Sequence, residues 1–204
     1  MRLLSHTIGI FTNPDKEWEA IRADRHSFLQ VYLSHVPILA LIPSVAAYIG
    51  VTRVGFELGG HLSRLTPNSA AVLAVVMYFA ILLGVYLLGE FINWMARSYG
   101  VEDDEATRHY EGTALAVFVT TPIFIASLIL LYPHVWLAVA VIGLAGIYSV
   151  YLIYEGIPIL MNMGKERAFL YAGAVITVAL VMMVTVMVGS VILWTMGIGP
   201  VYQH

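Results

Sequence analysis

The chain has 204 residues, of which 60% are hydrophobic and only 11% are charged, and its formal net charge is -3. A soluble domain needs more charged surface than this, so the composition predicts a membrane protein. Because the chain has no cysteine, disulfides, thiol catalysis and cysteine-bound metals are excluded. The small negative charge gives no reason to expect a nucleic acid partner.

Five apolar stretches are long enough to cross a bilayer as helices, since about 20 helical residues span a hydrocarbon core of roughly 30 Å. We expect the spans at residues 28–52, 70–96, 112–132, 135–160 and 168–196. The predicted fold class is therefore an all-α polytopic membrane protein. Residues 1–27 form its amino-terminal segment, and residues 28–204 form one five-span domain.

The basic residues predict the orientation of these spans. Eight of the ten lysines and arginines fall on the side of the amino terminus, and such residues are retained in the cytoplasm. They are Arg2, Lys16, Arg22, Arg25, Arg97, Arg108, Lys165 and Arg167. We therefore expect a cytoplasmic amino terminus, a carboxyl terminus outside, and a solvated acidic loop at residues 102–105 on the cytoplasmic side.

A short helix is predicted before the first span. Asn13 is a candidate N-cap, Pro14 suits the first helical position, and Asp15 favours the first turn. Trp18 and Ile21 lie on one face of this helix. We expect it to rest on the cytoplasmic membrane surface, with Trp18 as its anchor.

Two glutamates occur inside apolar spans in nearly the same local sequence. Glu90 ends the segment Val-Tyr-Leu-Leu-Gly-Glu, and Glu155 ends the segment Val-Tyr-Leu-Ile-Tyr-Glu. Spans one and three also share a polar-Pro-Ile step, at residues 35–38 and 120–123. These matches predict two parallel two-helix repeats with a fifth helix added.

A carboxylate at membrane depth costs several kcal/mol unless it is paired, hydrated or protonated, so the two glutamates predict a polar cluster. Helical spacing brings further polar side chains toward the same faces. The candidate ligand or relay residues are Glu90, Glu155, Glu111, His35, Asn93, Asn162, Tyr86 and Tyr151.

This cluster has two interpretations. Its oxygen ligands suit a divalent cation, with Glu90, Glu155, Glu111 and His35 as the metal candidates, and the same groups suit proton exchange. Alternatively, the groups are interhelical contacts in a dry core, for example between Glu90 and His35. We expect the remaining histidines to be surface residues; they are His6, His26, His61, His109, His134 and His204.

Several short motifs resemble the Yip family, the Ypt/Rab GTPase-interacting membrane proteins, in a bacterial form. They are Asn13-Pro14 with Trp18, Tyr110-Glu111-Gly112, Thr121-Pro122, the run from Tyr148 to Gly156, and Lys165 to Ala168. The resemblance implies five spans and a cytoplasmic amino terminus. For eukaryotic relatives it implies vesicle trafficking through Rab-type GTPases and self-association. This chain has a shorter amino-terminal segment and no Asp-Leu-Tyr-Gly-Pro motif, so we do not expect Rab binding.

Three functions follow from these observations. The first is a noncatalytic adaptor or organiser of the bacterial inner membrane, with a cytoplasmic protein partner and self-association through small residues of the spans. The second is a membrane-embedded cation- or proton-binding protein of the transport type. The third is an intramembrane enzyme, which we do not expect because the sequence carries no recognisable catalytic motif.

Overall fold

A computed structural model of the protein describes residues 2–24, 27–58, 61–101, 105–132, 134–197 and 199–203. Five helical segments are long and apolar enough to cross a membrane, and this confirms the predicted fold class. They are Phe28–Val54, Pro67–Tyr99, Glu105–Leu131, Val135–Leu160 and Lys165–Thr195. Arg25, His26, His204 and residues 102–104 of the predicted acidic loop lie outside the described residues.

The first span is built from two helices and a π-helical turn. Helix α3 (Phe28–Leu39) starts at Ser27, whose side chain accepts a hydrogen bond from the Gln30 amide. Helix α4 (Leu41–Ile49) follows after a break at Ala40, and the π-helical turn covers Gly50–Val54. Pro43, in the first turn of α4, has no amide hydrogen to donate to the carbonyl of Leu39, so the helical hydrogen bonds are interrupted at this break.

The other spans are continuous helices, some with short 3₁₀ extensions. Helix α5 covers Pro67–Ala96, α6 covers Glu105–Ala126, α7 covers Val135–Leu160 and α8 covers Lys165–Thr195. The 3₁₀ turns follow α5 and α6, at Arg97–Tyr99 and Ser127–Leu131. Whether the spans form two repeats stays a prediction.

Helix α6 is the central element of the bundle, since every residue from 111 to 119 is buried. Helices α5 and α7 both pack against it. Helix α5 approaches α6 at Gly112, Thr113 and Ala116, whereas Gly156 of α7 approaches Leu115. In the part of the chain that the structure describes, α5 and α7 each pack on α6 but make little direct contact with one another, so α6 lies between them.

The last span has buried residues only in its first third. Tyr171 is fully buried, its hydroxyl donates to the Ile92 carbonyl, and its ring stacks on Tyr99 with 4.9 Å between ring centroids. Beyond Val175, by contrast, the apolar side chains of α8 are mostly half-buried or exposed. The bilayer can cover these side chains, because lipid tails are as apolar as they are.

A two-stranded sheet lies at the end of the bundle that also contains the carboxyl terminus. The all-helical prediction did not include this sheet. Strand β1 (Phe56–Leu58) pairs antiparallel with β2 (His61–Ser63). The chain end returns to the same place, where Thr66 donates to Val201 and Gln203 donates to Arg64 through backbone bonds of 2.8 and 2.9 Å. These bonds connect the end of α8 to the start of α5.

The amino-terminal segment is a hairpin of two helices, α1 (Arg2–Thr12) and α2 (Pro14–Ala23), which we call the amino-terminal hairpin. The second helix starts at Pro14 as predicted. Its apolar face does not rest on the membrane surface, however, because Trp18 is fully buried and Ile21 is 1% exposed. Trp18 is a core residue, so its predicted role as a membrane-surface anchor is wrong.

We predict that Gly112→Ala will destabilise the bundle. A β-carbon at position 112 would lie 3.1 Å from both the Gly89 carbonyl oxygen and the Asn93 amide nitrogen, and backbone atoms can yield only if α5 and α6 separate. Overpacking of this kind costs about 1–3 kcal/mol. Thermal unfolding in detergent, followed by circular dichroism, measures the effect.

Gly143→Ala is the matched control, since none of the described atoms lies within 4 Å of a β-carbon there. We expect no loss of stability from this variant, because alanine is the better helix former. Equal unfolding midpoints for the two variants would contradict the close packing of α5 on α6.

Candidate functional site

The amino-terminal hairpin is held together by a buried histidine. The His6 side chain contacts the carboxylate of Glu17 through Nδ1, and its Nε2 lies 3.3 Å from Asp24 Oδ2. A doubly protonated imidazole can donate to both carboxylates, whereas a neutral ring can donate to only one. His6 was predicted to be a surface residue, but it is only 8% exposed. It joins α1 to Glu17 in the first turn of α2 and to Asp24 directly after the end of that helix.

A second contact joins the hairpin to the first span. Thr7 Oγ1 lies 3.0 Å from His35 Nε2, and both residues are buried. The rings of His35 and His6 both pack against Phe118 of α6, with centroid distances of 5.0 and 6.0 Å. His35 therefore belongs to the contact surface of the hairpin, and the predicted alternative pairing with Glu90 is not formed.

The third span contributes a buried ion pair and a hydrogen bond. Glu111 is 2% exposed, and its Oε1 lies 3.9 Å from Arg22 Nε. The adjacent Tyr110 hydroxyl donates to the Ile21 carbonyl at 2.5 Å. Two successive residues of α6 thus hold the end of α2. The positive charge of Arg22 offsets part of the cost of burying the Glu111 carboxylate.

The fourth span receives the tip of the hairpin. The Tyr148 hydroxyl donates to the Ile10 carbonyl at 2.8 Å, and Phe11 stacks on the Tyr148 ring at 5.7 Å with an interplanar angle of 10°. Trp18 lies directly over Gly156, where a β-carbon would come within 2.8 Å of the indole Cε2. Only glycine leaves room for the tryptophan at this position.

Glu155 is half-buried near the end of α7, and its carboxyl group faces that of Asp15 on α2, with Lys165 as a nearby cation. Tyr151, one turn earlier, is 43% exposed, and its ring lies 5.7 Å from that of Tyr148. The glutamate therefore contributes to the contact between hairpin and bundle at the end of a span.

Glu90 has a different set of neighbours. Its Oε1 lies 3.6 Å from His109 Nδ1, which is a close contact between α5 and α6 but longer than a hydrogen bond. Tyr86, one turn away, is 44% exposed and packs edge-on against Tyr32. His109, expected at the surface, is thus the partner of the first glutamate.

The structure does not bring the two glutamates into one pocket. Glu90 lies on α5 and Glu155 on α7, and the buried helix α6 passes between these helices. Among the described residues, no group of three or more histidine, aspartate and glutamate side chains could hold a metal ion. The expected common polar cluster is therefore divided into separate pairs.

The two candidate asparagines are also apart. Asn93 lies where α5 approaches Gly112, and its enclosed Oδ1 accepts no hydrogen bond from any described residue. Asn162 is exposed in the turn after α7, where its φ of 47° lies in the left-handed region that asparagine tolerates. It lines a cleft of about 620 Å³ together with Gly100, Lys165 and Arg167.

Sequence reasoning missed the residues that hold the hairpin, namely His6, Glu17, Arg22 and Asp24. One signal was present, because Glu17 and Asp24 are seven residues apart and so share a face of a helix. Their common partner lies in another helix, and a single sequence does not say how the two helices meet.

Comparison with known proteins identifies the family of this bundle. The family model described as Yip1 domain matches residues 8–187. The chain belongs to the Yip1 domain family. The match includes the second half of α1, all of α2, the first four spans and most of the fifth, whereas His6 and Thr7 precede it.

Two relatives of this Yip1-domain chain carry the same description. They are the proteins named "Inner membrane protein YohC" from Escherichia coli strain K12 and from Escherichia coli O6:H1 strain CFT073. Each is 34% identical over 195 residues, which cover 95% of this chain and 98% of the relative. No solved structure matches the chain.

We predict that Glu111→Gln will destabilise the protein by about 1–3 kcal/mol. Removing one charge of a fully buried pair costs roughly 3–5 kcal/mol, and the cost is smaller here because the Arg22 side chain is 37% exposed. The unfolding midpoint in detergent measures the loss.

Glu105→Gln is the control, since it removes the partner of Arg97 from a pair whose side chains are 63% and 71% exposed. Such surface pairs contribute little, so the midpoint should stay close to that of the unmodified protein. A Glu111→Gln variant as stable as this control would mean that the buried pair does not hold the hairpin.

Proposed function

We propose that this protein is a noncatalytic adaptor or organiser of the bacterial inner membrane. In this proposal the amino terminus lies in the cytoplasm, and the outer side of the amino-terminal hairpin is the surface that a cytoplasmic protein contacts. Self-association of the chain stays a prediction of the family resemblance.

One observation carries the proposal: the hairpin is docked on the bundle with Trp18 fully buried over Gly156. A docked hairpin presents its outward residues in a fixed arrangement, which lowers the entropy cost of binding a partner. The outward residues of α2 include Lys16 and Glu19, which are exposed.

The location in the inner membrane is supported by the relatives, which are named inner membrane proteins. The orientation is supported by the basic residues, since Arg22, Arg97, Lys165 and Arg167 all lie at the hairpin end of the bundle. The hairpin would then face the cytoplasm.

The alternative function, cation or proton binding at a shared cluster of Glu90 and Glu155, has less support. The two carboxylates have separate neighbours, and α6 lies between their helices. Most of the polar groups near the hairpin are engaged in contacts that hold helices together, as an adaptor with a fixed surface requires.

Photocrosslinking in intact cells tests the adaptor function. We expect a photoreactive amino acid at Glu19 to give a discrete protein adduct, and the same amino acid at the apolar, 58% exposed Val139 to give none. Trp18→Ala should abolish the adduct at Glu19, because loss of a buried tryptophan typically costs about 3–5 kcal/mol and undocks the hairpin.

Trp94→Ala is the matched control, since Trp94 is 70% exposed and its loss should leave the adduct unchanged. The orientation is checked in the same cells with an impermeant maleimide, which should label Gln203→Cys but reach Lys16→Cys only after lysis. An adduct at Glu19 that survives Trp18→Ala, or no adduct from any exposed position of α2, would contradict the proposal.

A further inference from the structure

Helix α1 has two different faces. His6, Thr7 and Ile10 are buried against the bundle at 8%, 9% and 0% exposure. Ile8 points away from it, and Phe11 is covered on one side by the Tyr148 ring, so the two residues are 67% and 43% exposed. These two residues are three apart and form an apolar edge on the outside of the protein. An apolar edge is best placed against other apolar groups, and the depth of α1 indicates which groups these are.

The depth follows from the contact of α1 with α7. Trp136 is 81% exposed at the far end of α7, where tryptophan marks a membrane interface. About 20 residues cross the hydrocarbon core, so the other boundary falls near Glu155. Tyr148 is then about 10 Å inside this boundary at 1.5 Å per residue. Because Tyr148 bonds the Ile10 carbonyl and stacks on Phe11, the end of α1 is inside it too.

At the turn between α1 and α2, backbone groups form hydrogen bonds within the hairpin. Within the hydrocarbon region, each amide and carbonyl needs a partner inside the protein. Asn13 donates its amide to the Gly9 carbonyl at 2.8 Å and accepts from the Glu17 amide at 3.1 Å. Pro14 has no amide hydrogen to satisfy. Two helical hydrogen bonds therefore cross the turn and join α1 to α2.

The charged edge of the hairpin lies on the other helix. Asp15, Lys16 and Glu19 of α2 are exposed, and none of them belongs to α1. An element with one apolar and one charged edge is typical of a segment at a membrane interface. The apolar edge then faces acyl chains, while the charged edge faces headgroups and water.

We propose that α1 is inserted into one leaflet of the bilayer, where Ile8 and Phe11 contact phospholipid acyl chains. The interfacial element of the amino-terminal segment is thus α1, which contacts the bundle on one face and lipid on the other. This assignment does not depend on the adaptor function, since it concerns the lipid side of the hairpin.

Single-cysteine spin labels test the insertion, because the chain has no cysteine of its own. Ile8→Cys and Phe11→Cys, labelled in liposomes of phosphatidylethanolamine and phosphatidylglycerol, are compared with Val139→Cys in a span and Glu19→Cys on α2. Collision with oxygen reports lipid exposure, and collision with a water-soluble nickel chelate reports exposure to water.

We expect the labels at positions 8 and 11 to collide with oxygen as readily as the label at 139 and to be shielded from nickel. Nickel collision equal to that at position 19 would overturn the proposal. Shielding from both reagents would also overturn it, since a protein, such as a second copy, would then cover the edge. Unfolding midpoints close to that of the cysteine-free protein verify that the variants are folded.

As a second measurement, a bimane fluorophore at position 8 should be quenched by phospholipids brominated on their acyl chains, as a bimane at position 139 is. No quenching at position 8 alongside quenching at 139 would overturn the insertion. This readout is independent of a cytoplasmic partner, so its failure is distinguishable from failure of the adaptor function.

Discussion

The burial of Trp18 over Gly156 is the contact on which the arrangement of the hairpin end depends. The indole fills the space that a glycine leaves on α7, and it packs edge-on against Phe118 of α6 at 6.3 Å. Burial of a tryptophan contributes several kcal/mol, which exceeds what the polar contacts around it add individually. It positions α2 against α6 and α7, and the polar groups of the hairpin then reach their partners.

This packing explains why so many polar groups occur at one end of an apolar bundle. Buried charges are costly unless they are paired, and buried polar groups are costly unless they are hydrogen-bonded; the hairpin supplies Arg22 for Glu111 and the Thr7 hydroxyl for His35. The same residues would be candidates for an ion site if they converged, but they are distributed around α6. This arrangement supports the proposed adaptor function, in which the protein acts through contacts at a fixed surface.

Four of the five spans could be predicted within three residues, because hydropathy and length decide which segments cross a bilayer. The third helix starts seven residues before the predicted residue 112, at Glu105, because its first two turns are polar and hydropathy does not detect them. The contacts of the amino-terminal hairpin could not be predicted from the sequence. From the sequence, a tryptophan on a short amphipathic helix fits a position at the membrane surface as well as a position in the protein core. Only the position of Gly156 in the folded structure decides between these two. The similar sequences around Glu90 and Glu155 were misleading for a related reason, because local similarity does not reveal that α6 lies between them. The strands at 56–58 and 61–63 are too short for their pattern to be distinctive.

Amide hydrogen exchange of the membrane-reconstituted protein tests the docking of the hairpin most directly. If Trp18 holds α2 against the bundle, the amides from Trp18 to Ala23 will exchange as slowly as those of the adjacent turn of α6 around Tyr110 and Glu111. The amides of α2 and of this turn of α6 would then exchange only when the packing of Trp18 between the two helices is lost. Rapid, unprotected exchange across α2 while α6 remains protected would contradict the docked hairpin, and with it the fixed surface on which the proposed function rests.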